Sequence, residues 1–256
     1  MRFLLKLNID KSKYGNILPI NYQYELSAVI YKTLAQASKE YATWLHDNGY
    51  QLENGKVFKM FCFSHLHFEK CKVIKGTDRL VILSDRAEFQ VSFLPEDGTE
   101  KLITGLFSSR MFDLGDEKSK VRFEVSGIEA LPSPDFHETM VYHSLSPIVI
   151  SKKFEDGRRQ YLAPTDKSYV TAVECGLKSR FEAFYGKVLD FNIEFEPLTE
   201  AKSSLITIKA GGDSETKVRG YNYSFKIKAP VEIQKMIYEA GIGELCSQGF
   251  GCVKVK

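Results

Sequence analysis

No CxxC pair, no GxSxG elbow and no uninterrupted apolar run approaching about eighteen residues occurs in this chain. The missing run excludes a membrane-spanning helix. The missing elbow, with no Cys/His signature in its place, excludes the common nucleophile arrangements. Five cysteines, Cys62, Cys71, Cys175, Cys246 and Cys252, are present. Their odd number and scatter predict free thiols in a reducing compartment, and no leader-like segment opens the chain, so a cytoplasmic protein is expected. Net charge is small too. The formal net charge is +2, too small to name a partner.

What is present is a globular composition of 256 residues, 43% hydrophobic and 27% charged, with 18 Phe and 13 Tyr. Charge is uneven along it. From Ala201 to Lys256 there are nine Lys/Arg and five Asp/Glu, and most of the basic residues alternate along predicted strands.

Periodicity predicts the order of elements. "MRFLLKLNI" reads as a strand. In "YELSAVIYKTLAQA", Leu26, Val29, Ile30, Thr33, Leu34 and Ala37 recur at helical spacing. Ser38 is placed to cap a short helix, "KEYATWLHD", and Gly49 to end it. Strands follow at "FKMFCFSHL" and "FEKCKVI", then a hairpin over Leu80–Leu94, a helix at "TEKLITGLFSS" and a strand at "KVRFEVSGI". The prolines of "ALPSPDFHE" mark a domain boundary. Beyond it come a strand in "TMVYHSLSPIVIS", a helix with Val170, Val173, Leu177, Phe181 and Phe184 inward and Asp166 as cap, and the alternating strand "DFNIEFEP". A long hairpin spans Leu205–Ala229 with Asp213 and Glu215 at its tip, and a helix beginning near Pro230 precedes a last strand, "FGCVKVK". Each half reads β-α-β-β-α-β. The expected fold is α+β, two tandem ferredoxin-like (RRM-like) domains over residues 1–131 and 138–256.

The chain closes on "AGIGELCSQGFGCVKVK", with Gly241, Gly243, Gly249 and Gly251 in eleven residues. A phosphate loop needs a strand before it and a helix after it, because the helix N-terminus binds the anion. Here a helix precedes and a strand follows. The glycines therefore serve as helix caps or permit close approach of a backbone, either the protein's own or that of a nucleic acid.

Taken together, this terminal loop, "MRFLLKL", "YELSAVIY", "LHD" followed by "KMFCFS", and "SLSPIVI" resemble, in this order, the Cas-six family of CRISPR endoribonucleases. That family belongs to the repeat-associated RNA-processing superfamily. The resemblance implies cleavage of precursor CRISPR RNA within each repeat, without metal, leaving 2′,3′-cyclic phosphate and 5′-OH ends. It implies CRISPR repeat RNA as partner and no cofactor, and it leaves room for a CRISPR effector complex or a homodimer. Its alternative is a non-catalytic CRISPR RNA-binding subunit of the same superfamily.

Such chemistry needs a proton acceptor, a proton donor and a cation for the phosphorane. His46 lies on the polar face of its helix with Lys39 and Thr43, in the last turn, with no core duty. The family motif places the catalytic His there, a Tyr at Tyr31, and a Lys at Lys59, with Lys56 as substitute. Lys209, Lys217, Arg219, Lys226 and Lys228, interleaved with Tyr221 and Tyr223, are RNA-binding candidates, as are Lys152, Lys153, Arg158 and Arg159 at a second turn. Gly249, Phe250 and Gly251 join them through the resemblance. His65 and His67 point to one side of a predicted strand, but no third ligand follows at fitting spacing, so no metal is expected.

Overall fold

Strict alternation along the strand Arg2–Asp10 sends Phe3, Leu5, Leu7 and Ile9 to one side, and all four are buried. The computed structural model describes residues 1–210 and 214–256. In it this strand is the middle of a six-stranded antiparallel sheet, flanked by Lys120–Leu131 and Arg86–Phe93. Met111–Gly115 and Phe61–Phe63 lie outside them.

The described residues contain six α-helices: α1 (Lys11–Tyr14), α2 (Gln23–Ala37), α3 (Lys39–Asp47), α4 (Glu96–Ser108), α5 (Tyr169–Tyr185) and α6 (Val231–Ala240). Leu26, Ile30 and Leu34 of α2 and Leu102 and Leu106 of α4 share one core with the first sheet. A second, four-stranded sheet runs in the order Glu194–Pro197, Ser224–Lys228, Thr139–Ser144, Val253–Val255, all antiparallel. Val173, Leu177 and Phe181 of α5 and Ile233, Met236 and Ile237 of α6 share its core. The protein is thus α+β with antiparallel sheets. No helix among the described residues is long and apolar enough to cross a membrane.

The two layers are joined by buried polar contacts. The Arg2 guanidinium donates to the Val253 carbonyl at 2.5 Å and to that of Tyr238, and stacks 3.8 Å over the Tyr238 ring. Cys62, Cys246 and Cys252 form a small buried cluster beside it. All five thiols are free.

Three expectations change. Leu80–Leu94 is not a hairpin. Arg79–Ile82 pairs with Ile17–Pro19 and Cys71–Val73, whereas Arg86–Phe93 enters the main sheet. The long C-terminal hairpin divides: Lys202–Ile208 pairs with Thr216–Asn222, while Ser224–Lys228 becomes a central strand of the second sheet. Its tip residue Asp213 lies outside the described residues. Asp166 does not cap α5. It accepts from the Ala163 amide at 2.6 Å and closes the turn ahead of the helix.

Candidate active site and RNA interface

A single extended residue makes the site. Ser38, at φ −156° and ψ 107°, ends α2 and begins α3, and its Oγ accepts from the Tyr41 amide at 3.2 Å. The chain folds back there, so α3 packs on α2. His46, in the last turn of α3, meets Tyr31 of α2 with ring centroids 5.3 Å apart and planes at 81°. The His46 ring is exposed, and its Nδ1 lies 2.7 Å from Asp47 Oδ1. Tyr31 is half-buried against Phe61. Burial pushes the Tyr31 hydroxyl well above the ordinary tyrosine range, and a hydrogen bond from Ser247 offsets part of that.

Lys59 completes the group from another direction. Its Nζ donates to the His46 carbonyl at 2.6 Å. Gly49 makes room: its φ is +59°, and a Cβ there would stand 3.0 Å from Lys59 Cδ and 2.7 Å from the Phe58 carbonyl. Desolvation lowers the Lys59 pKa, and the nearby Asp47 carboxylate raises it in part. Lys56 goes elsewhere, to Ser179 Oγ of α5 at 3.3 Å.

Beside this group opens a cleft of about 730 Å³. Its walls carry Lys56, Lys59, Lys152, Lys153, Arg159 and Arg180 against one carboxylate, Glu244. Glu244 is engaged by Ser151 at 2.8 Å and Arg159 at 3.1 Å. Lys152, Lys153 and Arg159 sit on the hairpin Ser151–Lys153/Arg159–Tyr161. Phe154 at its turn is exposed, with Lys152 Nζ 5.6 Å and Arg158 Cζ 5.8 Å from the ring centre. A bare ring flanked by cations suits an unpaired base and its phosphates. The sequence reading missed Phe154. The "KKF" run beside the basic turn was the available signal.

The glycine-rich loop lines the same cleft through Gly243 and the segment Glu244–Gln248. Its tight approaches are to the protein itself. A Cβ on Gly249 would stand 2.9 Å from Gln23 Cβ and 3.0 Å from the Phe63 ring, and one on Gly251 would strike the Ile242 carbonyl. Phe250 is wholly buried with Val149, Ile206, Ile208 and Val218. Gly249, Phe250 and Gly251, expected at the RNA, are buried, and their close neighbours are the protein's own residues.

The remaining basic candidates spread apart. Lys226 and Lys228 stand on the second sheet, paired with Glu196 and, at 2.8 Å, with Glu194. Arg219 is held by Ser203 Oγ at 2.7 Å, Lys217 is exposed, and Lys209 lies 5.7 Å from the Tyr24 ring. Tyr223 is buried and hydrogen-bonded to the Tyr169 hydroxyl, so it cannot stack on a base. His65 turns inward against Tyr22 and Gln23, while His67 is exposed. No cluster of three or more His, Cys, Asp or Glu among the described residues could hold a metal ion.

Sequence profiles of the family "CRISPR associated protein Cas6" match both parts of the chain, the N-terminal one over residues 17–126 and the C-terminal one over residues 131–255. The chain belongs to the Cas6 family. The CRISPR-associated endoribonuclease Cas6 1 of Methanocaldococcus jannaschii is 30% identical over 256 residues, 99% of this chain and 92% of the relative. The Cas6 endoribonuclease of Pyrococcus furiosus is 27% identical, covering 100% of this chain and 90% of its own length. Among solved structures, a Cas6-related protein from Pyrococcus furiosus aligns at TM-score 0.84 and 26% identity, over all of this chain and 98% of that one. A structure titled "An RAMP protein binding different RNA substrates" aligns at TM-score 0.83 and 25% identity, over 100% and 99% of the two chains. Cas6 membership thus rests on both halves of the sequence and on the fold.

Proposed function

We propose that this protein cuts precursor CRISPR RNA within the repeat, without a metal ion, leaving 2′,3′-cyclic phosphate and 5′-OH ends. The observation that carries the reading is the convergence of Tyr31, His46 and Lys59 at the edge of a cationic cleft. The ribose 2′-OH supplies the nucleophile. His46 takes its proton, the ring being oriented by Asp47 through Nδ1. Tyr31, kept protonated by burial, is a poor base and a good donor, so it serves the leaving 5′ oxygen. Lys59 faces the charge that builds on the phosphorane. Lys152, Lys153, Arg158, Arg159 and Phe154 guide the strand toward that edge.

The architecture fits this reading. Counting the four core strands of each half in chain order, both sheets run four-one-three-two. That order supports two ferredoxin-like domains, residues 1–131 and 138–256, with the cleft between them.

The test is repeat RNA incubated with the protein in excess EDTA, with the product ends mapped. Cutting at one position, cyclic phosphate ends and no cutting of a strand carrying 2′-deoxyribose at that position are expected. Cutting that stops in EDTA, or 5′-phosphate products, would overturn the mechanism. Tight binding with no cutting would select the RNA-binding alternative.

A further inference from the structure

The glycine-rich loop has a feature that caps and close packing do not explain. At its centre a short 3-10 turn, Cys246–Gln248, is entered through Leu245 at φ +58° and left through Gly249 at φ +89°. A leucine in left-handed conformation is uncommon and persists only where its surroundings enforce it. The enforcement is visible. Arg180 of α5 donates to the carbonyls of Gly241 and, at 2.5 Å, of Gly243, and approaches Cys246 Sγ at 3.4 Å. On the other side, Ser27 Oγ donates to the Ser247 carbonyl at 2.6 Å.

Ser27 and Tyr31 are four residues apart on α2, so their side chains stand one above the other on one face. Anchoring the Ser247 main chain at Ser27 therefore sets its side chain beside Tyr31. The Ser247 side chain lies close enough to the Tyr31 hydroxyl to offset part of the rise that burial imposes on it, and Ser247 lines the cleft. Tyr31 would otherwise be free to swing. Its ring has edge contacts with His46 and Phe61, and neither fixes the direction of the hydroxyl.

We infer that Ser247 is a positioning residue for Tyr31, delivered by the glycine-rich loop and locked from behind by Arg180. The four glycines follow from this role. They let the loop thread between α5, the Phe61–Phe63 strand and α2, and so bring one hydroxyl from the second half of the chain to an active site built by the first. The inference rests on the proposed RNA cleavage, and its test separates the two.

Single-turnover cutting of repeat RNA is measured for Ser247→Ala and Ser247→Thr, alone and with Tyr31→Phe, and affinity is measured on the uncleavable 2′-deoxy strand. Ser247→Ala should slow cutting about tenfold, the worth of one hydrogen bond of ordinary strength, with affinity changed less than about twofold and an unchanged melting temperature. Ser247→Thr, which keeps the hydroxyl, should restore the rate. In the Tyr31→Phe background Ser247→Ala should have no further effect. A carbon-13 label at tyrosine Cζ gives a readout independent of cutting. The Tyr31 resonance, assigned by its loss in Tyr31→Phe, should move in Ser247→Ala and return in Ser247→Thr. An unchanged rate, an equal loss in both backgrounds, or a resonance that does not move would overturn the inference. A wild-type protein that cuts no repeat RNA would overturn the proposed function, and the resonance would still decide whether Ser247 holds the phenol.

Discussion

Lys59 reaches back thirteen positions to donate to the His46 carbonyl at 2.6 Å, over a glycine whose side chain would have blocked it. The contact joins the end of α3 to the chain entering the Phe61–Phe63 strand. It also sets the charge of the lysine at the last turn of the helix that carries the histidine. Lys56, three residues earlier, faces α5 instead.

Replacing His46 by Ala should slow cutting by roughly two to four orders of magnitude. RNA affinity should hold, because the ring is largely exposed and carries no core packing. Single-turnover rates and titration with uncleavable RNA check this. Cutting at the wild-type rate would remove His46 from the mechanism.

Burial lowers the Lys59 pKa, with Asp47 offsetting part of the fall. Its charge is therefore lost at a lower pH than that of a free lysine. Cutting should decline on the alkaline side accordingly, and Lys59→Arg should shift that decline to higher pH. Matched pH–rate profiles decide it, since coincident alkaline limbs would mean that another group supplies the charge. Lys56→Ala should leave the profile as it is.

His65 titrates at about 4, lowered by burial from an ordinary 6.5. Between those values the unfolded chain binds a proton that the folded protein refuses. Stability is thus full above about pH 6.5 and falls as pH drops toward 4, by on the order of 3 kcal/mol. Melting curves from pH 7 to pH 4 should show a loss that is smaller in His65→Gln. Parallel curves for the two proteins would contradict the assignment.

Gly251→Val should lower the melting temperature and leave RNA affinity unchanged in the fraction that folds. Its φ is +65° and its Cβ would strike the Ile242 carbonyl. Overpacking of this kind costs typically about 1–3 kcal/mol, and the left-handed backbone adds to it. Weaker binding at unaltered stability would return this glycine to the RNA interface.

Affinity should fall with salt, and the two basic regions should differ. Lys152 and Lys153 have no carboxylate partner among the described residues, whereas Lys226 and Lys228 are neutralised by Glu196 and Glu194. Removing the first pair should reduce the slope of log affinity against log salt by roughly 1.4, at about 0.7 for each phosphate contact on a single strand. Removing the second should leave it intact. The opposite pattern would place RNA on the second sheet.

The sequence alone determined what depends on neighbours in the chain. The Ser38 cap, the span Lys39–Asp47 of α3 and the alternation of the first strand all follow from side chains within a few residues of one another. The order of elements and the polar face carrying His46 followed by the same logic. Pairing was not legible, because Arg79–Ile82 and Arg86–Phe93 look like hairpin partners until distant strands claim each of them. A lysine beside a glutamate some thirty residues away in the chain cannot be told from a free one, and so Lys226 and Lys228 looked available. Only the tertiary structure decided between Lys59 and Lys56 beside His46, buried Phe250, exposed Phe154 and brought Ser247 to Tyr31. Each of those outcomes depends on which surfaces meet when two halves of the chain pack, and contacts across such separations leave no period in the sequence.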